Sequence, residues 1–315
     1  MLILTAPAKI NWFLYVTGLR ADGYHDIASL FQAVSVCDTL EFKKTDDATV
    51  FSPLTLESDL KIPADANLVS KALKVLAGYI KSSCATAENN DGKIYIRLKK
   101  EIPSEAGLGG GSSDAATALM GMNMLFNLNL STGTLVKLAS EVGSDVPFFI
   151  RGTTAMVEGR GELVTPVELD STVPLLLLKP PVSISTPWAY GRVDDMTDKK
   201  IMRHNKALNI PAIVNEFIKA MKTGDFQSVA SLMRNDIEEA IRGDFPWIDE
   251  IKGLLRSKGA LVSLLSGSGS AIFGAFDNDR KRNAALECFE KRYPDFWIKP
   301  AVTLKSSLFS INDGP

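Results

Sequence analysis

The sequence predicts a mixed α+β protein of two lobes, an N-terminal one over residues 1–165 and a C-terminal one over 166–315. Three observations carry that expectation. The alternating segment "KIYIRLKKEI" (93–102) is joined by a glycine-rich run to helical periodicity at 113–129. A second apolar segment, "PLLLLKPP" (174–181), follows a turn-rich zone near 159–172 that marks a boundary. Strand and helix signals then recur in both halves, with no internal repeat.

Taken in order, "PAKINWFLYVTGLRADGYHDIASLFQAV" (7–34) reads as a strand, a turn at "RADGYH" and a second strand. In 93–102, Ile94, Ile96 and Leu98 share one face, and Tyr95, Arg97 and Lys99 the other, as in a half-buried strand. Ala116, Leu119, Met120 and Met124 fall at helical spacing. The next helix, 131–143, starts on Ser131, a capping residue, and ends at Gly143. Helical patterns follow at 210–224, 225–241 and 247–259. "ALVSLLSGSGSAIFGAF" (260–276) reads as a β-hairpin. A charged helix near 278–292 and a strand at 295–304 close the chain.

The 315 residues are 45% hydrophobic, enough for a sizeable core, and the net charge is −2. No basic excess points to nucleic acid as a partner. The three cysteines, Cys37, Cys84 and Cys288, are odd in number and far apart, as in a reducing compartment. The two histidines, His25 and His204, are too few for a zinc site. No apolar run approaches the ~20 residues of a membrane span. These features predict a cytoplasmic protein with no membrane partner and no obligate protein partner; plastid stroma is the alternative if a transit peptide has been removed.

The densest signal is "EIPSEAGLGGGSSDAAT" (101–117). Glycine is costly to order, so a glycine run between a strand and a helix asks for a reason. A flexible linker is one reading. An anion cradle is the other, because glycines let backbone N–H groups converge at a positive helix end. The run lacks the Gly-Lys-Ser/Thr of a P-loop, and Ser112 stands where a dinucleotide fingerprint needs its last glycine.

From Pro103 to Ala116 the run resembles the ATP-binding loop of the GHMP kinases, the family of galactokinase, homoserine kinase and mevalonate kinase. The resemblance implies a two-domain fold, an N-terminal α/β domain and a ferredoxin-like C-terminal domain, with the active site in the cleft between them. It implies ATP as co-substrate, held by Pro103, Ser104, Glu105, Ala106, Gly107, Leu108, Gly109, Gly110, Gly111, Ser112 and Ser113. Asn67 and Lys100 match positions near the adenine. Mg²⁺ is expected with ATP; Ser112 is the candidate contact, and no dedicated carboxylate ligand is identified.

P-A-K-I-N-x-x-L at 7–14, D-G-Y-H at 22–25 and F-Q at 31–32 narrow the resemblance. They are similar to the branch that phosphorylates the 2-hydroxyl of a cytidine-diphosphate-linked sugar alcohol in non-mevalonate isoprenoid synthesis. The similarity continues through 143–162 and 264–276, while 191–260 carries no motif. By resemblance, Tyr24 and His25 line the cytidine pocket, as an aromatic face and an imidazole edge suit a base. Tyr190 is a second stacking face, with Trp188 competing for that role, and Thr186 hydrogen-bonds the sugar alcohol. Lys9 and Asn11 lie two apart, so on a strand they share a face; Asn11 is counted with the substrate contacts. Asp145 is the candidate base facing Lys9, or else a helix or turn cap. The "SGSGS" run (266–270) is a hairpin turn or a backbone contact to phosphate. Other expectations remain open: a kinase of the family acting on homoserine or mevalonate, a non-catalytic binding protein of the same fold, and, least, a Rossmann oxidoreductase.

Overall fold

The computed structural model describes residues 1–50, 52–59, 67–83, 92–196, 205 and 207–305. Cys84 and His204 fall outside them.

Two antiparallel-rich sheets organise the chain. The first comprises β1 (Leu2–Leu19), β2 (His25–Lys44), β3 (Leu54–Ser58), β4 (Ile94–Lys99), β5 (Thr154–Gly159) and β6 (Leu163–Pro166). Its order is β3-β4-β2-β5-β6, with β1 paired to β2. The β1–β2 hairpin sets Lys9 opposite Ala33 and Asn11 opposite Phe31. β4 alternates strictly between buried and exposed positions, as its sequence predicts. β3 pairs parallel to β4. It is short and half exposed, so it carries no alternating stripe.

Helices α1 (Leu68–Ser83), α2 (Gly110–Leu125), α3 (Thr132–Val142) and α4 (Val146–Arg151) lie among these strands. α2 starts three residues earlier than its apolar stripe predicts, inside the glycine run. Gly109 precedes it at φ 70, so the last loop residue is in the left-handed region. α3 begins as expected, with Ser131 accepting from the Thr134 amide.

The second sheet comprises β7 (Pro174–Lys179), β8 (Val262–Leu265), β9 (Ile272–Ala275) and β10 (Trp297–Val302), ordered β10-β7-β9-β8. All its pairings are antiparallel. With α5 (Thr186–Asp195), α6 (Ile210–Thr223), α7 (Phe226–Ala230), α8 (Asp236–Ile241), α9 (Trp247–Ser257) and α10 (Asp279–Arg292), it forms a ferredoxin-like α/β layer. The 225–241 pattern is two short helices, not one. Asn235 interrupts it in extended backbone and caps α8. The sequence predicts no helix over α5, because it has no apolar stripe; only Ala189 and Val193 are buried.

The sheets share a core. Trp12, fully buried on β1, packs 5.4 Å from Phe217 of α6 and 5.7 Å from Phe273 of β9. Burying one such ring stabilises by roughly 1.5–3 kcal/mol. Gln32 joins the halves by donating to the Leu304 carbonyl at 2.8 Å. Among the described residues, no helix is long and apolar enough to cross a membrane.

Candidate active site

Two cavities meet at the glycine run. One, of about 430 Å³, is lined by Pro103 to Ser112 in unbroken succession, together with Asn67, Lys100 and Asp114. The other, of about 820 Å³, holds Lys9, Asn11, Tyr24, His25, Asp145 and Tyr190. Glu105, Gly107, Gly109 and Thr186 border both. A group in one therefore reaches a group in the other across a glycine wall.

The wall is tight. Gly107 sits at φ 72, and a Cβ there would stand 1.9 Å from the Ser266 carbonyl oxygen. Gly110 is different: its Cβ would point at Ile102, 2.8 Å away, and toward Lys100. That glycine serves loop-to-scaffold packing, not clearance on the cavity side. Ser113 does not line the cavity; it is fully buried in α2 and its hydroxyl has no partner among the described residues. Glu105 holds a left-handed backbone, φ 52, at the junction of the two cavities. Nothing in the sequence signals that strain, since glutamate has no preference for it.

Behind the loop lies a buried charge cluster. The Lys100 ammonium pairs with Asp38 and, at 2.6 Å, with Asp114. Asp38 also accepts from the amides of Glu101 and Ile102 at 2.6 and 2.8 Å. Both ends of the glycine run are thus tied to β2. Burial pushes the Asp114 carboxyl up to about 7; Lys100 opposes this and Asp38 adds to it. Lys100 faces the nucleotide cavity already committed to two carboxylates. Asn67 caps α1, its side-chain oxygen accepting from the Val69 amide at 2.9 Å.

In the larger cavity, Lys9 is 3% exposed and its Nζ lies 4.0 Å from Asp145 Oδ2. Burial lowers the Lys9 pKa and Asp145 acts to restore it. Lys9 donates to Asn11 Oδ1 at 2.7 Å, and Asn11 donates to the Ser29 hydroxyl at 2.9 Å. Asn11 therefore orients Lys9. Asp145 occupies the N-cap position of α4, yet its side chain caps nothing. The carboxylate is left for the cavity.

At the far end, His25 and Tyr190 stack with centroids 5.0 Å apart. His25 Nε2 lies 2.8 Å from Asp194 Oδ1. Burial raises the Tyr190 pKa, and Asp145 raises it further. Tyr24 is exposed at the rim, with the Arg160 guanidinium 5.1 Å from its ring. Trp188 does not line the cavity; it packs edge-on against Phe245. Thr186 pairs its hydroxyl with Ser268 at 2.8 Å. Sequence reasoning missed Arg160 and Asp194. Arg160 lies in the 143–162 stretch of family similarity, but nothing in its spacing shows that it faces Tyr24.

The donor set suits a metal carried by a nucleotide. Among the described residues no three His, Cys, Asp or Glu side chains cluster as a metal cage. Ser112 lines the nucleotide cavity on the first turn of α2. Mg²⁺ commonly takes most of its ligands from phosphates and water.

Comparisons agree with this geometry. Residues 67–153 match the model for the GHMP kinases N-terminal domain, and residues 217–295 that for the GHMP kinases C-terminal domain. A 4-diphosphocytidyl-2-C-methyl-D-erythritol kinase of Thermodesulfovibrio yellowstonii is 41% identical over 98% of this chain and 100% of its own. One of Geobacter sp. strain M21 is 34% identical over 95% of this chain and 97% of its own. A crystal structure of 4-(cytidine 5'-diphospho)-2C-methyl-D-erythritol kinase superposes at TM-score 0.74 and 29% identity, covering 96% of this chain and 100% of that one. Mevalonate kinase of L. major superposes at TM-score 0.73 and 16% identity over 97% of each chain, a likeness of fold alone. The chain belongs to the GHMP kinase family and groups within it with the 4-diphosphocytidyl-2-C-methyl-D-erythritol kinases.

Proposed function

We propose that the chain transfers the γ-phosphoryl group of ATP to the 2-hydroxyl of 4-diphosphocytidyl-2-C-methyl-D-erythritol, a step of non-mevalonate isoprenoid precursor synthesis. The observation that carries it is the Lys9–Asp145 pair at 4.0 Å, in a cavity that shares a glycine wall with the nucleotide cavity. ATP seats its phosphates along Gly107 to Ser112, where the amides and the positive end of α2 converge. Ser112 is the chain's contact to Mg²⁺, which neutralises phosphate charge when bound.

The acceptor lies across the larger cavity. Cytosine stacks among Tyr24, His25 and Tyr190, and the hydroxyl reaches the Lys9–Asp145 end. Asp145 accepts the hydroxyl proton as the phosphorus–oxygen bond forms. Lys9, held by Asn11, stabilises charge on the transferring group. The lobes 1–165 and 166–315 each supply part of the cleft. Within the second lobe, the loop 267–269 borders the acceptor cavity beside Lys9.

The test is incubation with ATP, Mg²⁺ and the cytidine-linked alcohol, followed by phosphorus NMR. A new phosphomonoester on the alcohol is expected. Turnover of homoserine or mevalonate instead, or of none of the three, overturns the reading.

A further inference from the structure

We propose that Asn235, in the stretch that carries no motif, is a positioning residue for phosphoryl transfer. It holds the backbone of residues 265–267 against Lys9 and the glycine run. The inference rests on the reading of the larger cavity as the acceptor site.

Asn235 is 2% exposed. Its amide nitrogen donates to the carbonyls of Leu265 and Gly267 at 3.0 and 2.8 Å. Its amide oxygen accepts from Ile237 and Glu238 at 2.9 and 3.3 Å. A primary amide has two N–H donors and two acceptor lone pairs, so the side chain is fully used. No aspartate can make this set, because it would aim an oxygen at two carbonyls.

The segment it grips adjoins the chemistry. A Cβ on Gly267 would stand 3.2 Å from Lys9 Nζ and 3.2 Å from the Gly107 carbonyl. Ser266 donates its hydroxyl to Gly107 at 3.0 Å, and Ala271 donates its amide to Ala106 at 3.0 Å. Glu238, one turn into α8, accepts from the Leu265 amide at 2.6 Å. Its other oxygen pairs with Lys252, so the second anchor is fixed too.

The strand bearing Lys9 is registered to the same point. The Leu14 amide donates to the Arg234 carbonyl at 2.8 Å, and Leu14 and Asn235 form a β-bridge. Asn235 thus joins three parts: β1, the 266–270 loop and the start of α8. Releasing the loop shifts the wall facing Lys9 without touching the nucleotide cavity's other side. The consequence falls on the transfer step more than on ATP binding.

The test is Asn235→Asp, which keeps the oxygen that caps α8 and loses both donors to the loop. Expected is a fall in kcat of up to about 10²-fold, as for a misplacement of about an ångström, with KM for ATP nearly unchanged. Asn235→Ser, whose hydroxyl still caps but cannot span to both carbonyls, should repeat the loss. Ile241→Val, trimming the core under the same helix, controls for stability. Amide exchange at Ser266 and Gly269 should quicken in the Asn235 variants and not in Ile241→Val. Undiminished kcat in a folded Asn235→Asp, an equal loss in Ile241→Val at matched melting temperature, or unchanged exchange overturns the inference. If neither Asn235 variant folds, wild-type exchange decides, because unprotected Leu265 and Gly269 amides are incompatible with a held loop. A wild-type enzyme inactive on the cytidine-linked alcohol overturns the substrate reading separately, and the exchange result still judges the loop.

Discussion

The nucleotide cavity comes from one continuous run of backbone, whereas the acceptor cavity is assembled from side chains on separate elements. Ten consecutive residues, Pro103 to Ser112, line the first. The second takes Lys9 and Asn11 from β1, Tyr24 from the hairpin turn and His25 from β2. It takes Asp145 from the start of α4, Tyr190 from α5 and Gly267 from the 266–270 loop. Backbone recognition tolerates most side-chain changes and is intolerant of lost glycine. Side-chain recognition is the reverse: single groups matter and their supports are scattered.

Asp145→Asn probes that contrast with the largest effect. The change keeps shape and removes the charge that faces Lys9. Turnover should fall about 10²–10⁴-fold, the usual worth of a general base. Stability should fall by less than turnover: Asp145 makes no cap bond at the start of α4, but its loss leaves the buried Lys9 without its counter-charge. Turnover number with a thermal melt checks both. Near-wild-type turnover in the folded variant removes Asp145 from the chemistry and moves the proton path to another group of the acceptor cavity.

Gly107→Ala carries the next largest effect, on the backbone side. The alanine Cβ would meet the Ser266 carbonyl at 1.9 Å, at φ 72. A non-glycine residue strained in that region costs about 1–3 kcal/mol before the clash is counted. Both melting temperature and ATP affinity should drop. Gly111→Ala should leave the melt unchanged or raise it, since its Cβ meets only Leu68 at 3.6 Å and alanine favours helix. Equal destabilisation by the two would mean that the glycines serve flexibility in general, not particular close approaches.

These cases explain what the sequence made legible. Glycine spacing encodes a backbone shape locally, so 101–117 announces its use before any fold is known. Alternation in 93–102 and the Ser131 cap are local in the same way. Asn235 is not legible, because its four partners lie at 237–238 and at 265–267, and only the fold brings them together. The single helix expected over 225–241 hid it further, since Asn235 stands in the extended break. α5 stayed unseen for lack of a stripe, and with it the reason Tyr190, not Trp188, reaches the cavity. Family motifs point to Lys9 and Asp145; their 4.0 Å approach is a property of tertiary structure.

The smallest effect sharpens the comparison from behind the glycine run, where the backbone-built cavity does depend on side chains. The Asp114 carboxyl, normally at 3.8, is pushed up to about 7 by burial, with Lys100 opposing and Asp38 reinforcing. A carboxyl with a raised native pKa binds its proton more tightly folded than unfolded. Its contribution to stability is therefore full below the unfolded value, and is lost as pH rises towards 7. Asp114→Asn removes the titration while keeping an oxygen for Lys100. The melting temperature of the variant relative to wild type should climb between pH 5 and pH 7 and level off above it, by about 2–4 °C for each kcal/mol of linkage. Below pH 4 the two should differ least in slope, because the wild-type carboxyl is then protonated in both states. Melts across that range check it, with Asp22→Asn as a control at an exposed carboxylate outside the cluster. A flat difference, or one that climbs equally for Asp22→Asn, would mean that Lys100 fully compensates Asp114. The loop's anchor would then be a balanced ion cluster with no proton of its own.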